Sequence, residues 1–415
     1  MKFTTSLACC LLTCNGFSQG LISSSSNGTL LAQDADKKYT KLFKELDPAK
    51  AISRDISLYK VTYGSRAPSG RTVPLSGLVA IPKGGAPKGL VIYFHATTAN
   101  RENVPSRYSG NQKPEEAELA VLAFASAGYA VAAPDYLGLG DHHGVHPYPF
   151  GDTNCWSGID LILPARDLAK KVNASIGPNL YVTGYSEGGG VAMWAARRLQ
   201  EFNDPKRKLT AAAPLSGAYD LSGTQAKSML ETQSNVTWWG ARVYLAAYAG
   251  YAMHGGSFGI NLKDYFAPSF ATYIPFVFDQ ALDDEHVVKK LVAKALQMGS
   301  FQKLDRITTE RFRDAIRTED VSDPLVRELS ANNCFDWSPR TPLFLFCIAD
   351  DFVVVKENTL KTIATMRSRG VGPQMASYYS LGGRKYNHMT GVTPALIYAR
   401  RFFDRGFAGV ADLNN

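Results

Sequence analysis

The chain has 415 residues, of which 45% are hydrophobic and 20% are charged. This balance is ordinary for a soluble globular protein and excludes extensive disorder beyond the N-terminus. The formal net charge of +8 is spread along the chain rather than gathered in one stripe, and the sequence carries no RNA- or DNA-binding motif. We therefore expect a solubilising surface and no nucleic-acid partner.

The N-terminus has the pattern of an export signal. Lys2 precedes a short apolar stretch at 7–17, which is followed by the small residues Ser18 and Gly20. These features predict a signal peptide over 1–20, in a secreted or periplasmic protein. The apolar stretch is too short to cross a bilayer, so we expect no integral membrane segment. LLTC at 11–14 also resembles a bacterial lipoprotein box, which leaves lipid anchoring at Cys14 as an alternative.

The segment after the signal is rich in serine, with four serines in a row at 23–26. Small polar residues of this kind are typical of flexible linkers. We therefore predict that 21–50 is a leader outside the folded core.

From residue 51 onward, apolar runs alternate with longer amphipathic segments, in two blocks at 51–220 and 334–415. The strands are predicted at 75–81, 89–94, 129–133, 180–183, 209–214, 342–348 and 376–380. The helices of these blocks are predicted at 115–127, 158–172, 188–202, 357–369 and 393–403. Such a β-α order indicates an α/β fold, with a mostly parallel sheet and helices on both of its faces.

The alternation stops over 221–333, where the pattern is helical at 236–253, 283–297 and 308–317. The size of this segment suits a helical cap that is inserted before the strand at 342–348 and lies over the sheet's C-terminal edge.

Three cysteines lie beyond the predicted signal. Cys347 stands inside an apolar run and is expected to be a buried, inert thiol. Cys155 and Cys334 are candidates for a disulfide in an oxidising compartment. Because the sequence has no CxxC pair, we expect no thiolate zinc site.

A candidate nucleophile follows the predicted strand at 180–183. The motif is GYSEG at 184–188, and an alanine-rich helix begins directly after it. A strand, a tight glycine turn and a helix are the context of a nucleophile elbow, which raises a serine hydroxyl above the sheet. We interpret Ser186 as the nucleophile. The alternative is a solvated serine in an ordinary glycine-rich turn.

A serine hydroxyl needs a base, and the base needs a carboxylate that orients it. In elbow hydrolases these partners follow in the order Ser, acid, His. His388 is the one histidine after His286, and it stands between the last predicted strand and the last helix. Asp350 and Asp351 both follow the strand at 342–348, so the pattern leaves two candidates for the acid.

The oxyanion hole of such an enzyme uses backbone N–H groups from the residue after the nucleophile and from a loop after an early strand. Glu187 is the first candidate, and Thr97, in the loop after the strand at 89–94, is the second. We expect the Glu187 side chain itself to lie on the surface.

A second cluster of polar residues offers a competing metal-binding interpretation. Asp141, His142, His143 and His146 have ligand-like spacing, but they lie in a glycine-rich loop and form no HExxH motif. We therefore expect neither a metal site nor another cofactor.

In combination, these motifs resemble the microbial secretory lipases and related α/β-hydrolase esterases. The similar segments are HATT at 95–98, VPS at 104–106, PDYLGLG at 134–140, HPY at 146–148, GYSEGG at 184–189, the stretch 333–342 and NH at 387–388 with the residues after it. Together they lie within roughly 55–220 and 330–403, and the cap has little detailed likeness.

The resemblance favours Asp351 over Asp350. The family's acid stands in a D-x-x-V-P-x-x-N-[ST] pattern, which Asp351 begins without a gap. Val355 replaces the usual Pro, so Asp350 remains a candidate for the acid. Ala96 replaces the family's Gly in HG, so the oxyanion loop is expected to have a different shape.

The resemblance implies an esterase or lipase that cleaves small-molecule or lipid esters through an acyl-serine intermediate. A peptidase on the same fold and a non-catalytic protein that binds a hydrophobic ligand are the alternatives. In the ester-hydrolase interpretation, a subset of the cap aromatics lines an apolar acyl pocket, and Trp238 and Trp239 are the candidates that we single out.

Overall fold

The computed structural model describes residues 20–48, 52, 54–110, 114–256, 258–383 and 385–411. The predicted signal peptide and Cys14 lie outside these residues, apart from Gly20. Across the described part of the chain, no helix combines the length and apolar character that a membrane span needs.

One sheet of nine strands forms the centre of the described chain. The strands are β1 (Leu21–Leu30), β2 (Ile56–Arg66), β3 (Thr72–Pro82), β4 (Gly89–Phe94), β5 (Ala130–Pro134), β6 (Asn179–Tyr185), β7 (Ala211–Leu215), β8 (Leu343–Ile348) and β9 (Ala376–Leu381). Their order across the sheet is β1-β2-β3-β5-β4-β6-β7-β8-β9. The pairs from β1 to β5 are antiparallel, whereas every pair from β5 to β9 is parallel.

Helices cover both faces of this sheet. The α-helices of the described residues, which include those inserted between β7 and β8, are α1 (Ala32–Phe43), α2 (Glu115–Phe124), α3 (Gly151–Lys171), α4 (Glu187–Phe202), α5 (Ala226–Leu230), α6 (Val236–Gly255), α7 (Leu262–Tyr265), α8 (Pro268–Phe278), α9 (Asp284–Gln297), α10 (Glu310–Thr318), α11 (Pro324–Ala331), α12 (Glu357–Ser368), α13 (Val392–Arg405) and α14 (Ala408–Ala411). Buried residues of α1, α2 and α13 form the core on one face, and those of α3, α4 and α12 form it on the other.

The sequence of β4 explains why both faces are covered. All six residues of the strand are buried. Val91 and Tyr93 belong to the core on one face, whereas Ile92 and Phe94 belong to the core on the other. A strand that is apolar on both sides requires helices on both sides, as parallel sheets usually do.

Parallel pairing brings the carboxyl ends of the central strands to one edge. Phe94 of β4 pairs with Gly184 of β6, and Leu215 of β7 pairs with Tyr185 of β6 and with Phe346 of β8. The loops that follow these strands therefore meet at the same edge of the sheet, where ligands of open α/β sheets bind.

A helical cap is inserted between β7 and β8. It contains α5 to α11 and has its own hydrophobic core, in which Trp239, Phe270 and Leu291 are fully buried. This architecture confirms the predicted fold class, which is an α/β fold with a mostly parallel sheet, flanking helices and a cap before the strand at 342–348.

The interpretation of the segment after the signal as a leader outside the fold is wrong. The serines at 23–26 lie in β1, which pairs antiparallel with β2, for example Ser24 with Val61. Most β1 side chains are exposed and only Leu30 is buried. Main-chain hydrogen bonds hold an edge strand of this kind, so serine composition does not prevent its formation.

Candidate active site

Ser186 occupies a tight turn between β6 and α4. Its backbone has a φ of 58° and a ψ of −118°, a conformation that a residue with a Cβ rarely adopts. Gly184 and Gly188 allow the turn to close. A Cβ at Gly184 would lie 2.3 Å from the carbonyl oxygen of Gly188, and a Cβ at Gly188 would lie 2.0 Å from that of Phe94. The turn presents the serine at the edge of the sheet where the strand ends meet.

Ser186, His388 and Asp351 form a continuous hydrogen-bonded chain. His388 Nε2 lies 2.8 Å from Ser186 Oγ, and His388 Nδ1 lies 2.7 Å from Asp351 Oδ2. All three residues are buried. Because a carboxylate only accepts hydrogen bonds, Nδ1 carries the imidazole proton, and Nε2 is left to accept from the serine hydroxyl.

Asp351 is held in place by the loop that follows β8. Its Oδ1 accepts hydrogen bonds from the N–H groups of Val353 at 2.9 Å and Val354 at 3.1 Å, which leaves Oδ2 for the histidine. Asp350 is exposed. Of the two candidate acids, Asp351 is therefore the one that contacts His388, and Val355 in place of the family's Pro does not disturb the turn.

The loop that carries His388 is fixed from two sides. Tyr185, the last residue of β6, donates its hydroxyl to the carbonyl oxygen of His388 at 2.7 Å. Burial raises the pKa of this tyrosine well above its usual value, so the hydroxyl remains a donor. On the other side, Asn387 Oδ1 accepts from the N–H groups of Met389 and Thr390. The histidine is thus positioned by backbone contacts that do not involve its ring.

The loop at 95–99 contains Thr97, the predicted second oxyanion donor. On its core side, Ala96 N–H donates to Glu116 Oε1 at 2.8 Å, and Tyr136 donates its hydroxyl to the carbonyl oxygen of His95 at 2.9 Å. Within the described residues, the N–H groups of Thr97 and Glu187 donate to no protein acceptor. Both are therefore available to an oxygen of a substrate.

The cap holds the same loop from the opposite side. Asp284, the first residue of α9, accepts from Thr98 Oγ1 at 2.6 Å and from the N–H of Ala99 at 2.7 Å. Tyr248 of α6 donates its hydroxyl to the carbonyl oxygen of Thr98 at 3.0 Å. The position of the cap and the shape of the loop are therefore coupled.

The interpretation of Glu187 as a surface side chain is wrong. The side chain is 2% exposed, and its Oε1 lies 2.8 Å from His146 Nε2. His146 is 41 residues away in the chain. The sequence presents it as a candidate metal ligand and as the first residue of the HPY motif, but does not pair it with Glu187. The position of Glu187 could have indicated its burial, because the first helical turn after an elbow serine packs inside the fold.

The other members of the predicted polar cluster have separate partners. Asp141 pairs with Lys60 at 2.6 Å, His142 Nδ1 accepts from the N–H of Gly138 at 3.0 Å, and His143 faces Arg101. Among the described residues, no group of three or more His, Cys, Asp or Glu side chains converges to hold a metal ion.

A largely apolar cavity of about 110 Å³ adjoins Ser186 beneath the cap. Its wall is formed by Tyr148, Pro149, Ser186, Glu187, Gly190, Ala218, Leu221, Gln225, Ala226, Met229, Leu245, Ala246, Ala249, Gly250, Phe266, Phe312, Ile316, Leu325, Leu329 and Val354. Neither Trp238 nor Trp239 belongs to this wall, so singling them out was wrong. Trp239 is buried in the core of the cap, where its Nε1 donates to the carbonyl oxygen of Lys303 at 3.1 Å.

The cysteines form no disulfide among the described residues. Cys155, Cys334 and Cys347 are all buried free thiols. Cys155 Sγ donates to the carbonyl oxygen of Asp152 at 3.2 Å, whereas Cys334 Sγ faces that of Gly190 at 4.0 Å. The two candidate thiols therefore have separate partners, and the suggested bridge between them is wrong.

No protein-family model matches the chain, and no curated protein sequence matches it. Solved structures do. A Legionella pneumophila protein assigned as a hydrolase without a named substrate is 26% identical, with a TM-score of 0.80 over 93% of this chain and 98% of that one. The ligand-bound rice cell wall degrading esterase LipA from Xanthomonas oryzae is 20% identical, with a TM-score of 0.75 over 96% and 98%. Candida antarctica lipase A in its closed state is 13% identical, with a TM-score of 0.61 over 94% and 83%.

These similarities identify the fold of the chain as the α/β-hydrolase fold. The neighbours are esterases, a lipase and an assigned hydrolase, which supports a hydrolase and agrees with the resemblance to the esterase and lipase group.

Proposed function

We propose that this chain is a secreted serine hydrolase that cleaves carboxylic esters through an acyl-serine intermediate. The observation that carries the proposal is the hydrogen-bonded chain from Asp351 through His388 to Ser186. Ser186 also belongs to the wall of the apolar cavity, so a nucleophile and a space for an acyl chain adjoin each other.

In the first half of the reaction, Ser186 Oγ attacks the ester carbonyl carbon. His388 Nε2 accepts the hydroxyl proton, which makes the oxygen nucleophilic at neutral pH. Asp351 holds the imidazole in the required tautomer and stabilises its positive charge. The imidazolium then gives the proton to the leaving alcohol, and the acyl group stays on the serine.

The negative charge of the tetrahedral intermediate requires donors of its own. The N–H of Glu187 at the start of α4 and the N–H of Thr97 are the two groups that we assign to this task. Each backbone donor that is already aimed at a developing oxyanion lowers the barrier by roughly 3 kcal/mol. The N-terminus of α4 adds the favourable end of a helix dipole.

In the second half, a water molecule takes the position of the alcohol. His388 accepts a proton from this water, the resulting hydroxide attacks the acyl carbon, and Ser186 leaves with its proton restored. His388 carries out every proton transfer, to and from Ser186, the leaving alcohol and the attacking water, while the two backbone donors stabilise the oxyanion. No metal or organic cofactor is therefore part of the proposal.

The cavity beneath the cap is the proposed acyl site. Its lining is mostly apolar, and the cap contributes side chains such as Leu245, Phe312 and Leu329. Pockets of this kind, which are apolar with few polar groups, bind small organic ligands. Release of the protein from the cell rests on the sequence pattern at 1–20.

The test is a hydrolysis series with p-nitrophenyl esters of increasing acyl length, run beside aminoacyl anilides. We expect hydrolysis of the esters and little cleavage of the anilides. Cleavage of the anilides at comparable kcat/KM would replace the proposal with a peptidase. Absence of both activities, together with binding of long-chain fatty acids, would replace it with a ligand-binding protein.

Secretion is tested separately by expressing the full chain in a bacterial host. We expect an N-terminus that begins near residue 21 in the extracytoplasmic fraction. A lipid-modified Cys14 at the N-terminus would indicate a membrane-anchored form instead.

A further inference from the structure

A buried carboxylate stands directly after the proposed nucleophile. The Glu187 side chain is 2% exposed, and its residue is the first of α4. The proposed oxyanion would form at the N–H of this same residue. A full negative charge on the side chain would repel the developing oxyanion in this largely apolar site and would oppose the reaction.

The hydrogen bonds of His146 show how this charge is balanced. His146 Nδ1 lies 2.9 Å from the carbonyl oxygen of Leu137, so Nδ1 must carry a proton. A neutral imidazole has only one N–H, which leaves Nε2 with a lone pair. Nε2 nevertheless lies 2.8 Å from Glu187 Oε1. Two acceptors do not approach this closely, so a further proton lies between them, and the pair has no net charge wherever that proton resides.

The surroundings of the pair are largely aromatic. The His146 ring stacks on Tyr136 at a centroid distance of 5.5 Å and faces Tyr248 at 6.1 Å. Asn154 Nδ2 approaches Glu187 Oε1 at 3.5 Å. Among the described residues, Glu187 Oε2 has no hydrogen-bond partner. His146 is therefore the main partner of this carboxylate.

We propose that His146 is a positioning residue that keeps Glu187 neutralised and fixes its side chain, so that the N–H of Glu187 faces the oxyanion without an opposing charge. The inference rests on the proposed ester hydrolysis and assigns a role to the HPY segment at 146–148. It places a second histidine-carboxylate pair beside the Ser-His-Asp chain, with an electrostatic task rather than a proton-transfer task.

The test is a double-mutant cycle of His146→Ala and Glu187→Gln, measured with one p-nitrophenyl ester. His146→Ala leaves a buried carboxylate without its partner, and we expect kcat to fall by about 10- to 100-fold with KM changed less than about threefold. Adding Glu187→Gln removes the charge without changing the size of the side chain. The kcat of the double variant should therefore be at least about threefold higher than that of His146→Ala. His254→Ala, which removes a cap histidine bonded to the Ile260 carbonyl, is the control and should keep the parental kcat.

A merely structural role for His146 predicts a different outcome. If the loss of activity came from destabilisation, titration with a fluorophosphonate would find fewer folded active sites in His146→Ala, and kcat per titrated site would equal that of the parent. That result, or a double variant whose kcat per titrated site is no higher than that of His146→Ala, would overturn the inference. Should His146→Ala fail to fold, the same comparison is made between His146→Gln and His146→Gln/Glu187→Gln. Failure of the proposed function itself is distinguished by the parent protein, which would then hydrolyse no ester.

Discussion

His388 Nε2 lies 2.8 Å from Ser186 Oγ, although 202 residues and the whole cap separate the two in the chain. The contact exists because β6 and β9 end at the same edge of the sheet, where their loops bring both side chains together. A contact between parts of the sequence this distant depends on the complete core. A variant can therefore lose activity through damage to the core or through damage to the site, and measuring stability together with activity separates the two.

The first prediction concerns the acid. Asp351→Asn should lower kcat by about 10³- to 10⁴-fold, because the amide cannot hold the imidazole in the tautomer that accepts from serine. Asp350→Asn should cost less than about threefold, since this side chain is exposed. Steady-state kinetics of the two variants make the comparison. The opposite ranking would mean that Asp351 is a structural residue of the loop and that His388 is oriented by another group.

The second prediction concerns the acyl cavity. Each methylene that enters an apolar pocket contributes about 0.8 kcal/mol, so kcat/KM should rise about threefold to fourfold per carbon until the cavity is full, then fall. Leu329→Ala shortens a side chain of the wall and enlarges the cavity, so it should move the optimum of kcat/KM to longer acyl chains. Leu291→Ala is the matched control, because this leucine is buried in the cap but lies outside the wall. A flat chain-length profile in the parent would show that the acyl group does not enter the cavity.

The third prediction concerns the contact between the cap and the loop at 95–99. Asp284→Ala removes the acceptor of Thr98 Oγ1 and of the Ala99 N–H. We expect kcat to fall at least about tenfold with little change in KM, because a displaced loop misplaces an oxyanion donor. Asp279→Ala removes another cap carboxylate, which is bonded to Tyr251 within the cap, and should leave kcat within about twofold. Equal effects of the two substitutions would exclude a specific coupling.

The fourth prediction concerns stability and pH. Burial raises the pKa of Glu116, which lies beside Tyr93 and His95, above its usual value. The native state therefore binds a proton at the Glu116 carboxylate more tightly than the unfolded chain does. The stabilising contribution is present below the unfolded pKa and is lost as pH rises through the native pKa. Glu116→Gln removes this dependence.

We therefore expect the free energy of unfolding of Glu116→Gln to increase relative to that of the parent as pH rises. Urea unfolding of both proteins from about pH 4 to about pH 8 measures this difference. A difference that is independent of pH would show that the pKa of Glu116 is the same in the native and the unfolded states, and would contradict the prediction.

The sequence predicted the central strands well because buried parallel strands leave a strong pattern. Both ends of β4 were predicted correctly, since a run of six apolar residues begins at Gly89 and ends before the polar residues from His95 onward. The first strand was missed because its stability comes from main-chain pairing with β2, which serine composition does not reveal.

The proposed triad was readable for a similar reason. Its three residues each stand after a predicted strand, so order and position select Ser186 and His388. They leave Asp350 and Asp351 as candidates for the acid, and only the resemblance to the family pattern favours Asp351. Contacts across elements were not readable. The pair of His146 and Glu187 depends on how a loop folds over the start of α4, and the acyl cavity depends on which cap side chains face inward. Both follow from tertiary packing, which a single sequence does not encode as a local pattern.

The assignment of Ser186 as the nucleophile is tested most directly by the site at which a fluorophosphonate probe attaches, determined by mass spectrometry of the digested protein. We expect one adduct, on Ser186, and no adduct in Ser186→Ala, together with a loss of ester hydrolysis by several orders of magnitude in that variant. A circular dichroism spectrum like that of the parent would establish that Ser186→Ala is folded. An adduct on another residue, with ester hydrolysis retained in Ser186→Ala, would contradict the assignment of the nucleophile.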